Sequence, residues 1–120
     1  MIVVNSDKVK SVPFPPDDVI VEKGPINRKP LIDVKETGGL GAALVTFSPG
    51  ATLNFHTHDS EQILYITDGK GVIATKNKKH VVTPGCIVFI PAGEVHMHGA
   101  TKDTPLTHVA IQKAGIHLSK

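Results

Sequence analysis

Apolar residues along the chain come in runs of four to seven, rich in Val, Ile and Thr, and each run is cut within a few residues by Gly, Pro, Asn or Asp. Alternation at period two marks strands that bury one face, and no stretch keeps a helical spacing long enough for a sustained helix. The segments "DVIVE", "LIDVK", "AALVTF", "ATLNFHTH", "QILYI", "GVIATK", "HVV", "CIVFI", "VHMH" and "PLTHVAIQ" predict about ten strands. The breaks between them, "SPG", "TDGKG", "KNKK", "TPG", "PAGE" and "ATKDTP", carry turn chemistry. An all-β sandwich or barrel follows. A chain of 120 residues is enough for one domain, expected over 1–120. Five of the nine prolines lie between Ser11 and Pro30. Residues 1–30 are therefore expected as an N-terminal arm and edge strands.

Strand parity gives the first chemical signal. Side chains two apart share a face, so His56 and His58 point the same way, as do His96 and His98. In "LTHVAIQ" the residues His108, Ala110 and Gln112 also share a face. Five of the seven histidines thus occupy same-face strand positions. Charge narrows the partner: the formal balance is +2 and Arg28 is the lone arginine, so a nucleic-acid surface is not expected and a small molecule is. One cysteine, Cys86, no charged-then-apolar leader and no apolar run long enough for a bilayer give the expectation of a soluble cytoplasmic protein without a membrane partner.

Two motifs then carry a family resemblance. Gly50, five residues, His56, Thr57, His58, three residues, Gln62, six residues and Gly69 resemble the first cupin motif. Gly85, five residues, Pro91, Ala92, Gly93, two residues and His96 resemble the second. Gln62 stands where most cupins have a metal-binding Glu, and Ala100 where the second motif often has Asn. The resemblance implies a single-domain cupin, a double-stranded β-helix or jelly-roll barrel. Together, "NFHTHDSEQILYITDGKG" and "PAGEVHMHGATKDTPLTHVAIQ" are similar to the small manganese-dependent cupin hydroxynitrile lyases. That similarity implies a metal held by His56, His58, Gln62 and His96, with His108 as the acid/base. It also implies a substrate pocket at Ala43, Val45 and Gln112, and pairing of copies into a homodimer or homotetramer. His98 and Ala110 are expected in the same pocket wall.

The ligand set has its own consequence: three neutral imidazoles and a carboxamide leave a divalent ion its full charge, which favours anions such as cyanide, an alkoxide or a carboxylate at its open positions. Nitrogen and oxygen donors without thiolate suit Mn, Fe, Ni, Co or Zn alike, and it is the resemblance that implies Mn first among them. Glu61 competes with Gln62 as the ligand, because the turn through Asp59 and Ser60 breaks simple alternation. The expected function is a metal-dependent lyase acting on a small α-hydroxynitrile or a related hydroxy or carbonyl compound. A metal-dependent dioxygenase and a non-catalytic metal or small-ligand binding module are the alternatives. Elsewhere the expectations are structural: "GGLG" as a flexible lead into a strand, Cys86 buried, and Tyr65 packed against a neighbouring sheet. Lys76, Lys78 and Lys79 are expected at a hairpin tip, with His80 and His117 in solvent.

Overall fold

Thirteen strands in two antiparallel sheets make up the computed structural model, which describes residues 1–15 and 18–113 and the backbone of 116–118. One sheet has six strands, β1 (Val12–Pro13), β3 (Ile26–Ile32), β4 (Gly41–Phe47), β7 (Gln62–Gly69), β10 (Ile87–Ile90) and β12 (Leu106–Gln112), in the spatial order β1-β3-β4-β12-β7-β10. The other takes β2 (Val21–Lys23), β5 (Thr52–Leu53), β6 (His56–His58), β8 (Gly71–Thr75), β9 (Lys79–Val82), β11 (His96–Ala100) and β13 (Ile116–Leu118). In that sheet β11 pairs with β5, β6 and β8, and β8 carries β9.

The alternation seen in the sequence sets the faces. On β7, Gln62, Leu64 and Ile66 are buried while Ile63 and Tyr65 look out, and on β12 Leu106, His108 and Ala110 are buried. Phe47, Ile26, Leu64, Ile66 and Leu106 are among the side chains that fill the space between the sheets. Burying each of these removes it from water at a gain of roughly 1.5–3 kcal/mol. Cross-strand register lines up two rows on the inner face: Arg28, Val45, His108 and Ile66 across β3, β4, β12 and β7, and Gln112 beside Gln62 across β12 and β7. A register shift falls between Thr107 and His108, where Thr67 bulges from β7. Such an extra residue bends its strand locally and fits the curvature of a barrel wall. The next turn is tight enough to require glycine. Gly69 sits at φ 85°, and a Cβ there would fall 1.8 Å from the Pro105 carbonyl oxygen.

Several local expectations change. "LIDVK" is a strand only as far as Ile32: the Asp33 side chain accepts from the Lys35 amide and caps a single helical turn, Val34–Thr37, which Gly38 ends at φ 74°. "ATLNFHTH" is broken at Asn54 and Phe55 into β5 and β6. Within 1–30, β1 and β2 take edge positions but β3 is an inner strand of the six-stranded sheet. It accommodates Pro30 beside a register shift between Pro30 and Ile32. Tyr65 lies on the outward face, exposed rather than packed, and Cys86 is half-buried against the core. The lysine cluster does stand on the β8–β9 connection, with Lys76 Nζ 4.8 Å from the Phe55 ring centroid. His80 is exposed; the side chain of His117 lies outside the described residues.

Candidate metal centre

Two strands of the second sheet bring three imidazoles together. His56 and His58 project inward from β6, and His96, directly opposite His56 in the β11 register, meets them. The His56 ring centroid is 4.9 Å from that of His58 and 4.3 Å from that of His96. One ring nitrogen from each of the three lies within 4.8 Å of the others, and all three side chains are buried. Backbone carbonyls settle which nitrogen is available on two of them. His56 Nδ1 donates to the Asn54 carbonyl at 2.7 Å and His96 Nδ1 to the Glu94 carbonyl at 2.9 Å. A carbonyl only accepts, so each Nδ1 carries the hydrogen and each Nε2 keeps a lone pair. His96 Nε2 is buried without a hydrogen-bond partner.

Gln62 opens β7 with its side chain buried, whereas Glu61 is exposed. The Gln62 amide donates from Nε2 to Gln112 Oε1, and its own Oε1 is buried without a hydrogen-bond partner. Such an oxygen in a protein interior costs free energy unless something accepts its lone pairs. Three imidazole nitrogens with no thiolate form a donor set that fits a divalent transition metal.

Burial also keeps the imidazoles neutral. His56 is lowered to about 4, mainly because burial disfavours its charged form; the Asn54 carbonyl works against this and His96 adds to it. Burial lowers His96 as well, the Glu94 carbonyl opposing and His58 reinforcing. A neutral imidazole is the form that ligates, so at neutral pH these two need displace no proton.

Behind this cluster lies a second imidazole pair. His98, from β11, is stacked on His96 with ring centroids 5.0 Å apart, and its Nδ1 is 3.1 Å from His108 Nε2. His108 rests on Phe47 at 5.5 Å between centroids. Burial is the first cause that pushes His98 well below the usual range, followed by His108 and the neighbouring imidazoles. Burial likewise takes His108 to about 4. Two facing ring nitrogens share one hydrogen, so one ring donates and the other accepts.

A cavity of about 600 Å³ opens beside both groups. Ala43, Val45, Ala110, Gln112, His98 and His108 all line it, together with His56, His58 and Gln62. Arg28 lines it too. In the sequence Arg28 stands out only as a charge. Its parity with Ile26 on β3, once that strand is recognised, is the signal that would have placed it on the inner face.

A model of the cupin domain matches residues 43–112. The chain is 36% identical over 91 residues to the (R)-mandelonitrile lyase of Granulicella tundricola, covering 75% of this chain and 70% of that protein. Among solved structures it is similar to a cupin-like protein of Thermotoga maritima, with TM-score 0.76, 30% identity and coverage of 80% and 77% of the two chains. A polyketide cyclase of Streptomyces resistomycificus shares the fold at TM-score 0.82 and 19% identity, over 100% and 86% of the chains. A domain match across the histidine-bearing strands and a relative this similar along three quarters of the length show that the chain belongs to the cupin family.

Proposed function

We propose that this cupin is a metal-dependent lyase acting on a small α-hydroxynitrile or a related hydroxy or carbonyl compound. One divalent transition metal, manganese foremost, would be held by His56, His58, Gln62 and His96. The observation that carries the reading is the buried, unpaired Gln62 oxygen on the cavity wall that His56 and His58 also line, with His108 on the same cavity. When bound, the ion supplies a Lewis-acid pole with its charge uncancelled by a carboxylate ligand. The chain's own residues do the rest. His108, neutral at ordinary pH, accepts the substrate hydroxyl proton. As the C–C bond breaks, the hydroxyl carbon becomes a carbonyl and the electron pair leaves with cyanide, which takes the proton back from His108. His98 holds the His108 ring in place through the 3.1 Å contact. Ala43, Val45 and Ala110 leave room for a compact aromatic or aliphatic group. The mandelonitrile lyase relative supports the lyase assignment.

Arg28 favours a second substrate within the same class. A permanent cation on the cavity wall suits a hydroxy or carbonyl compound that also bears a carboxylate. Both are tested together: manganese-loaded protein is given racemic mandelonitrile at mildly acidic pH, against metal-stripped and His108→Ala controls, with benzaldehyde release as the readout and mandelate as competitor. Metal-dependent release that disappears with His108 supports the lyase; no release above the stripped control overturns it. Inhibition by mandelate that Arg28→Met abolishes supports the acid-bearing class.

The partner is further proposed to be a second copy of this chain. Ile63, Tyr65, Ile87 and Phe89 are 36, 45, 70 and 60% exposed and lie in register on the outer face of β7 and β10. This row and its rim give on the order of half of the roughly 800 Å² per partner that a standard interface buries. An uncharged apolar row of this kind can be self-complementary across a two-fold axis. A cytoplasmic setting belongs to the same proposal; among the described residues no helix is long and apolar enough to cross a membrane.

A further inference from the structure

An amide ligand has an ambiguity that a carboxylate lacks. Rotation by half a turn about the last side-chain bond of Gln62 exchanges its oxygen for an NH₂ group, and that torsion is intrinsically broad and nearly two-fold. The exchange is chemically decisive, because an amide nitrogen that bears two hydrogens has no lone pair to give a cation. Some neighbour must select the orientation.

Gln112 meets the requirement. It stands directly opposite Gln62 in the β12–β7 register, and its Oε1 accepts the hydrogen bond from Gln62 Nε2. With Nε2 tied there, Gln62 Oε1 is left buried without a hydrogen-bond partner. The other end of the Gln112 amide lies 3.4 Å from His58 Nδ1, so a single side chain spans two of the proposed ligands. Resting on the metal reading above, we infer that Gln112 is a positioning residue. By accepting from Gln62 Nε2 it fixes the Gln62 oxygen toward the ion, and so sets metal affinity without touching the metal. Gln112 also lines the cavity, but this role precedes any substrate and shows in metal binding alone.

The test measures Mn²⁺ binding to the full-length protein by electron paramagnetic resonance of the free ion, checked by chelator competition. Gln112→Leu is expected to weaken binding about 10–100-fold, the usual effect of losing an outer-shell partner. Gln112→Glu, whose carboxylate still accepts from Gln62, is expected to bind as tightly as the parent or more tightly. The bound-ion spectrum of Gln112→Leu should shift toward that of Gln62→Ala. In a Gln62→Ala background, Gln112→Leu should cost nothing further, because its effect passes through the missing amide. Parent-like affinity in Gln112→Leu would overturn the inference, as would an undiminished loss in the Gln62→Ala background. Gln112→Met replaces Leu if metal-free melting shows that the Leu variant is unfolded. Parent-like affinity in Gln62→Ala, or no Mn²⁺, Co²⁺ or Zn²⁺ binding by the parent, is a different failure: it sinks the metal site itself, and the positioning role with it.

Discussion

Acidifying the metal-free protein from neutral pH to pH 4 is expected to remove roughly 6 kcal/mol of folding stability through His56 and His108 alone. Both side chains are buried, and burial lowers both from 6.5 to about 4. A base depressed in the folded state makes the unfolded chain the better proton binder between the two values. Stability is therefore full above about pH 6.5, falls as pH drops, and levels off below about 4. For one such imidazole the loss is roughly 2 kcal/mol at pH 5 and roughly 3 kcal/mol at pH 4. His96 and His98 shift in the same direction and add to the slope. A domain of this size has about 5–15 kcal/mol in hand, so the metal-free fold should lose a large share of its stability near pH 4. Urea titrations followed by circular dichroism, in chelator at constant ionic strength from pH 7.5 to 4.5, measure the slope directly. His108→Phe, which titrates nothing, should flatten it by about one imidazole's share. An unfolding free energy that stays level from pH 7 to 4.5 would refute the claim that these imidazoles are buried and neutral.

Gln62→Glu is expected to bind metal at least 10-fold more tightly and to cleave mandelonitrile about 10-fold more slowly, because the added carboxylate cancels one charge on the ion; unchanged cleavage at full occupancy would remove the charge argument. Gly69→Ala should destabilise the fold by about 3–5 kcal/mol in urea melts, since its Cβ would strike the Pro105 carbonyl at 1.8 Å on a backbone already at φ 85°. Phe89→Glu together with Ile87→Glu should convert a dimer into a monomer by light scattering coupled to gel filtration, with the melting temperature little changed.

Parity made the histidine pairs legible but could not divide their labour. In the sequence His56/His58 and His96/His98 look alike. In the structure the first pair and His96 share one cluster, while His98 stands 3.1 Å from His108 instead. That division depends on how β11 lies beside β6 and how two sheets face each other, which are long-range facts. The turn before Glu61 and Gln62 hides their parity in the sequence, and the register of β7 against β12 decides which side chain faces inward. β3 was hidden for a different reason. "INRKPLI" carries a proline and two cations, and its alternation is visible only once Arg28 is counted as an inward residue at a cavity mouth. The Asp33 cap likewise overrode the β-branched signal of "LIDVK", a case of one side-chain hydrogen bond outvoting propensity.

The chain has no tryptophan, and its one tyrosine, Tyr65, stands on the outer face of β7, on the wall opposite the cavity lining. The interior is consequently dark to near-ultraviolet fluorescence. Tyrosine emission and its anisotropy become a label-free gauge of what happens on the outer sheet: they should respond to protein concentration through copy-to-copy contact and stay indifferent to metal or a small ligand entering the barrel. An aromatic aldehyde formed inside can be followed by its own absorbance against an almost transparent protein.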